Sequence, residues 1–240
     1  MRGCLFTLLL GGVVIALVVV VGLPQVAAGM LTGALTAAGL EADDTTVTVS
    51  SEPPTDLLGL HADRVRVRAT DATFRGLAIG SLDVELRGVA ILDRTAAEVD
   101  GRLADVIVDD IGGRSVTLDE ISITGSGEAI AATTELAGDD AESLIADGVE
   151  ARLGARPREV SLLAPNRLRV DLGVGPALEG TLDVTPAGDL VVLVPGIPAG
   201  AGEILLLRGG QDLPIRLDGL VVTPEGDLRL SGGLAIAILG

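Results

Sequence analysis

Residues Pro53–Thr70, PPTDLLGLHADRVRVRAT, decide how the rest of the chain is read. A proline pair cannot donate to a β ladder, so Pro53-Pro54 ends whatever strand precedes it. Thr55–Leu58 then fits a single helical turn with Thr55 as its cap. From Ala62 to Thr70 the chain alternates, with Val65 and Val67 on one face of a strand and Arg64, Arg66 and Arg68 on the other. The stretch thus joins an apolar turn holding Leu57, Leu58 and Leu60 to a strand with one dry side and one charged side. The residues before it read as a membrane tether, and those after it as a strand-rich body.

Upstream, Thr45–Ser51 (TTVTVSS) is β-branched and alternating, hence a strand. Before it, Gln25–Gly39 is Ala-rich and carries Val26, Met30, Ala34 and Ala37 at helical spacing. Pro24 suits its first turn, Gly39 its end, and Glu41, Asp43 and Asp44 a polar exit. The spacing predicts a helix packed on a sheet. Gly3–Leu23 contains no charge, and as a helix it would be roughly 30 Å long, the thickness of a bilayer core. It reads as an uncleaved transmembrane anchor in preference to a cleaved signal, whose nearest site is Val26–Ala28. Arg2 would stay in the cytoplasm, with the body extracytoplasmic on a single-pass anchor, or secreted if the segment is cleaved. Cys4, the sole cysteine, lies in this segment, so the body has neither disulfide nor thiol chemistry.

Downstream, strand patterning runs almost without a break from Leu77 to Thr134. In Leu77–Ala90, Leu82, Val84 and Leu86 share one face, and Asp83, Glu85 and Arg87 the other. Gly101–Asp109 and Arg114–Thr124 repeat the pattern, and a change of parity between Leu118 and Ile121 predicts a bulge or bend. Long strands with one apolar face and turns of Gly and Asp make an antiparallel sheet with one wet side. Asp139–Gly154 is a second helix, with Leu144, Ile145, Val149 and Leu153 as its stripe, Gly154 as its stop, and Asp139 with Glu142 resembling a capping box. Strands resume at Glu159–Leu163, Arg167–Gly173, Thr181–Thr185, Asp189–Val194, Ile204–Leu207, Ile215–Val222 and Asp227–Leu230. Pro186–Gly188 and Pro224–Gly226 read as hairpin turns. A faint echo links VSSEPPTDLLGLHADRVRVRAT with VSLLAPNRLRVDLG, each a strand, a proline break and a strand bearing R-x-R. The expected organisation is an anchor over 1–23, a helix and connector over 24–44, and a β-rich domain over 45–240 with a helix near 139–154.

Composition removes several functions. The chain is 48% hydrophobic and 1% aromatic, without Trp or Tyr, so it offers no platforms for stacking bases or sugars. A net charge of −17 excludes nucleic acid as a partner, since duplex binding needs clustered positive charge. His61 is the only histidine, which removes His/Cys metal sites, and no metal or cofactor is expected. The pairs Asp43-Asp44, Asp109-Asp110 and Asp139-Asp140 read as solvated turn acids, and Gly125-Ser126-Gly127 lacks the nucleophile-elbow spacing. The expectation is a non-catalytic protein.

The sharpest local signal is the Arg64, Arg66 and Arg68 face, which has two readings. It offers guanidinium groups to a lipid phosphate, or it pairs with neighbours such as Asp83 and Glu85 and blunts the sheet. Leu57, Leu58 and Leu60 beside it form either an exposed apolar tip or a core plug.

Taken in order, these features resemble the LmeA-like family of phospholipid-binding cell-envelope proteins. The resemblance is carried by the N-terminal apolar segment and Ala-rich helix, P-x-x-L-L-G at Pro54–Gly59, and D-R-V-R-V-R at Asp63–Arg68. It continues through L-x-I-G-S-L-D-V-E-L-R-G-V at Leu77–Val89, L-P-I-R-L at Leu213–Leu217 and V-V-T-P-E-G-D-L at Val221–Leu228. The chain departs from the family where S-S-E-P-P-T-D replaces an aromatic, proline-rich stretch before L-L-G. The resemblance implies a fold similar to the tubular lipid-binding proteins, a long curved antiparallel sheet wrapped around helices with an apolar groove. It also implies an envelope protein that holds or transfers phospholipid or a lipid-linked glycan precursor. The reading of the residues themselves makes Leu57, Leu58, Leu60, Arg64, Arg66 and Arg68 the candidate lipid-binding residues. The alternative is a non-catalytic envelope scaffold or interaction module with a solid core.

Overall fold

The computed structural model describes residues 23–234 apart from 75–76, 92, 94, 112–113, 127–128, 196–201, 211 and 214. The predicted anchor lies outside the described residues except for Leu23. Among the described residues no helix is long and apolar enough to cross a membrane.

Helix α1 (Leu23–Ala37) turns at Gly39, in the left-handed region at φ 98°, into a meander of six antiparallel strands. These are β1 (Leu40–Ser50), β2 (His61–Phe74), β3 (Leu77–Ala90), β4 (Thr95–Ile111), β5 (Arg114–Ser126) and β6 (Ala129–Leu136). Helix α2 (Gly138–Leu153) leads to a second meander: β7 (Glu159–Leu163), β8 (Arg167–Asp171), β9 (Leu178–Val184), β10 (Leu190–Leu193) and β11 (Glu203–Leu207). The hairpin of β12 (Ile215–Val222) and β13 (Leu228–Leu234) then returns to the first sheet. The strand orders are β1-β2-β3-β4-β5-β6-β13-β12 and β11-β10-β9-β8-β7. The class is α+β, mostly antiparallel sheet with two helices, as the patterning predicts. The two echoing segments form the edge hairpins of the two sheets, β1–β2 and β7–β8.

Cross-strand registers stack the apolar residues in rows. One row runs Val49, Val65, Leu86, Val99. The next runs Val47, Val67, Val84, Gly101, Ile123, Ala132 and Gly232. A third runs Ala69, Leu82, Leu103, Ile121, Thr134 and Leu230. Thr134 is buried there because its hydroxyl donates to the Glu120 carbonyl at 2.9 Å.

The predicted parity change at Leu118–Ile121 is one point on a line that crosses five strands. The pairing steps over Asp43, Asp71, Gly80, Asp105 and Asp119 in turn. Inward residues are three apart across that line: Ala69 and Ala72, Ile79 and Leu82, Leu103 and Val106, Leu118 and Ile121. Asp71 (φ 48°) and Asp105 (φ 53°) adopt the left-handed region that Asp tolerates better than most residues. At Gly80 a Cβ would meet that of Asp105 at 2.8 Å, so a glycine there lets the aspartate lie across the crease. A second line steps over Asp63, Gly88 (φ 57°) and Ala97. Each crease bends long strands while returning the apolar side to the interior.

Four expectations are corrected. The stripe Val26, Met30, Ala34 and Ala37 of α1 faces outward, and Ala27, Ala28, Leu31 and Leu35 pack on the core instead. Both faces of this helix are apolar, so periodicity alone could not choose between them. Strand β1 begins at Leu40, which places Asp43 and Asp44 within it rather than in a connector. Thr55 makes no cap bond, since Pro53 precedes the 3₁₀ turn Pro54–Gly59. The capping box on α2 does not form. The Gly138 amide, at the first turn, instead donates to Asp227 Oδ1 at 2.9 Å from the β12–β13 hairpin.

That hairpin turn, Thr223-Pro224-Glu225-Gly226-Asp227, repeats the β9–β10 turn Thr185-Pro186-Ala187-Gly188-Asp189. In each the Asp amide donates to the Thr hydroxyl, and the Asp carboxylate accepts from a distant amide, that of Gly209 or Gly138. Strand β12 ties the sheets together, the Leu217 amide donating to the Gly188 carbonyl and the Val222 amide to that of Pro165.

Candidate functional site

The six residues singled out at Leu57–Arg68 are divided by the structure. Leu57 is buried in the core, Leu58 is 64% exposed, and Leu60 is half-buried in a left-handed conformation (φ 57°) that closes the 3₁₀ turn. Its amide donates to the Leu57 carbonyl at 3.1 Å. His61 starts β2 on the surface, with Nδ1 2.8 Å from the Gly59 carbonyl oxygen.

The arginines project from the opposite side of β2 to Val65 and Val67, onto a lattice of ion pairs. Arg66 makes a two-pronged contact with Asp83, Nε at 2.8 Å and Nη2 at 2.6 Å, and Arg68 Nε reaches the same carboxylate at 3.3 Å. Glu85 is shared by Arg64 at 3.3 Å and Arg87 at 2.8 Å, and Arg87 continues to Glu98 at 3.3 Å. The Arg66 hydrogen bond, joined by its charge and by Arg68, holds the Asp83 carboxyl below its ordinary value against the opposing effect of burial. The same bond raises Arg66, and hydrogen bonds to Glu85 and Glu98 raise Arg87. All of these side chains are at least partly in water, so the lattice supplies little stability per pair.

Two of the depressions among the described residues border these ion pairs. One, of about 290 Å³, is lined by Thr48, Ser50, Arg64, Arg66, Arg68 and Glu85 on the charged face. The other, of about 490 Å³, runs from Glu85 and Arg87 across Asp100 to Ala131. Among the described residues, no group of three or more His, Cys, Asp or Glu is placed to hold a metal ion.

The apolar side carries a different feature. On β3, Leu82, Val84 and Leu86 are only partly buried, as is Leu103 opposite Leu82, whereas Val65, Val67, Ala69 and Val99 beside them are buried. A strip of aliphatic surface therefore runs along β3 on the same side as the core. Apart from this strip, Ser51 follows β1 on the same inward side as Val49, and its buried hydroxyl has no hydrogen-bond partner. Sequence patterning placed Leu82, Val84 and Leu86 on one face. It did not mark them as a site, because alternation gives a face and says nothing of what covers it.

Comparison of the chain with protein-family models, with curated proteins and with solved structures gives no match.

Proposed function

We propose that this is a membrane-tethered, extracytoplasmic lipid-binding protein of the cell envelope, which holds or passes a phospholipid or a lipid-linked glycan precursor. The fold reading is that of the tubular lipid-binding proteins, in keeping with the resemblance to the LmeA-like family. The observation that carries it is the Leu82, Val84, Leu86 and Leu103 strip, an aliphatic surface left partly open beside buried Val65, Val67, Ala69 and Val99. An acyl chain laid along it gains roughly 0.8 kcal/mol per buried methylene, without covalent chemistry. The buried Ser51 hydroxyl at the end of β1 is a separate candidate contact, since a buried donor without a partner suits the ester or hydroxyl oxygen of a lipid.

The acyl site lies on the opposite side of the sheet from Arg64, Arg66 and Arg68. In this reading the arginines hold the polar face together, and they meet a headgroup only where a lipid reaches round the β1 edge at Ser50 and Arg64.

The rival reading, a scaffold with a solid core, is favoured by the polar lining of the charged-face depression and by the continuity of the buried cluster. One experiment separates the two. The body from Leu23 onward, purified without detergent, is extracted for mass spectrometry and mixed with fluorescent phospholipid. Co-purified lipid and saturable uptake are expected, and the absence of both overturns the lipid-binding reading.

A further inference from the structure

The outward face of α1 is unlike that of an ordinary surface helix. Val26 is 57% and Met30 67% exposed, and Gly29, Gly33, Ala34 and Ala37 lie on the same side. A helix on a globular surface normally turns charged residues to water, and α1 has no charged residue at all. Its two threonines also withdraw their polarity. The Thr32 hydroxyl donates to the Ala28 carbonyl at 2.9 Å and that of Thr36 to the Thr32 carbonyl at 3.1 Å, the bond that satisfies a hydroxyl where water is scarce.

The chain around α1 indicates what covers this face. The sequence is free of charge from Gly3 to Leu40, whereas about 20 residues of helix are enough to cross a bilayer core of about 30 Å. The excess has to lie on one side of the membrane, and α1 is that excess. The helix folds back along β1 until it touches the 3₁₀ turn Pro54–Gly59, which brings exposed Leu58 to the end where the apolar run enters the body. We propose that the outward face of α1, with Leu58, lies in the interfacial layer of the bilayer and seats the body on it with the helix in between. This rests on the tethered reading of the protein and adds the surface that meets the lipid. Binding of this kind comes from apolar area and needs no anionic lipid, which suits a body within a chain of net charge −17.

The test uses the full chain with Cys4→Ser, reconstituted in phosphatidylcholine vesicles. Single cysteines at Val26→Cys, Met30→Cys and Leu58→Cys carry an environment-sensitive fluorophore. Glu225→Cys, exposed in the hairpin turn between β12 and β13, is the reference in water. Each variant must melt as the parent does, as expected for exposed positions. Emission at 26, 30 and 58 is expected to shift to the blue and to be lost when spin-labelled phosphatidylcholine is included, with no change at 225. Quenching by aqueous iodide as strong at those three positions as at 225 overturns the proposal. So does disulfide formation between Met30→Cys copies with no lipid quenching, which would assign the face to a second copy of the chain through Gly29 and Gly33. Phospholipid uptake is measured separately. Uptake with water-exposed labels defeats the docking surface alone, and lipid-quenched labels without uptake defeat the acyl site alone.

Discussion

The two sheets are built from the same aliphatic residues but finish differently. In the five-stranded sheet, Leu168, Val170, Leu182, Leu190 and Val192 are all within 1% of complete burial. Its strands are 4 to 7 residues long, and α2 closes it with Ala141, Leu144, Ile145 and Val149. Gly148 lets the helix approach so closely that a Cβ would meet Leu206 at 2.7 Å. The eight-stranded sheet reaches 17 residues in β4 and keeps an open strip along β3. Closure is therefore a matter of what is laid over a sheet, since the side chains are alike. That contrast is why an acyl site is placed on the larger sheet and a supporting role on the smaller.

The contrast can be broken most directly by truncation. Leu182→Ala, within the closed core, is expected to cost about 2–5 kcal/mol in thermal or denaturant unfolding. Leu82→Ala should cost about half of that, because part of its side chain keeps its contact with water or lipid in both states. Equal costs would mean that the strip is filled core and would end the distinction. Next in size, Asp227→Ala should lose about 1 kcal/mol by leaving the first turn of α2 uncapped. Hydrogen exchange should speed up at Gly138–Ala141 while the core of the β1–β5 meander keeps its protection. A general loss of protection would show that the hairpin stabilises more than the helix end. Ser51→Ala sharpens the comparison from the other side. It should leave melting unchanged or slightly raised, since it removes an unpaired buried hydroxyl, while weakening phospholipid uptake. Unchanged uptake would remove Ser51 from the site.

The smallest effect concerns the charged face. Asp83 titrates below its ordinary value of 3.8, so its pairing stabilises the fold above that pH and is lost as the pH falls through the lower, folded value. The melting difference between the parent and Asp83→Asn should therefore be constant near neutrality and shrink in acid below 3.8. A difference that persists at lower pH would assign the effect to packing and not to charge.

Much of the local structure was legible in the sequence. Helix α2 ends at Gly154 in the left-handed region because only local geometry is needed to read such a stop. Strands β7 and β12 have the bounds their alternation predicts. The crease was read only in β5, at Leu118 and Ile121, although Ile79 and Leu82 in β3 and Leu103 and Val106 in β4 carry the same three-residue spacing. In β2 the change falls between Ala69 and Ala72, residues too small to mark a face. The cap of α2 could not be read because Asp227 lies 89 residues away. The arginine face was read down to its partners, Asp83 and Glu85, since β2 and β3 are adjacent in the chain. Leu57, Leu58 and Leu60 look alike in sequence, and only the 3₁₀ turn sends one inward and the next outward.

The place of β13 beside β6 bears on how the chain is made. Translation proceeds from the N-terminus, so β6 waits for its neighbour until α2 and the whole of β7–β11 have been synthesised. During that interval one edge of a six-stranded sheet is open to pairing with another nascent chain. The edge left waiting is only 8 residues long and carries Glu135, which later receives Arg229 of β13. A short edge with a carboxylate near its end is a poorer template for a stray strand than a long apolar one, so the group that receives the proper partner also discourages others until that partner is synthesised.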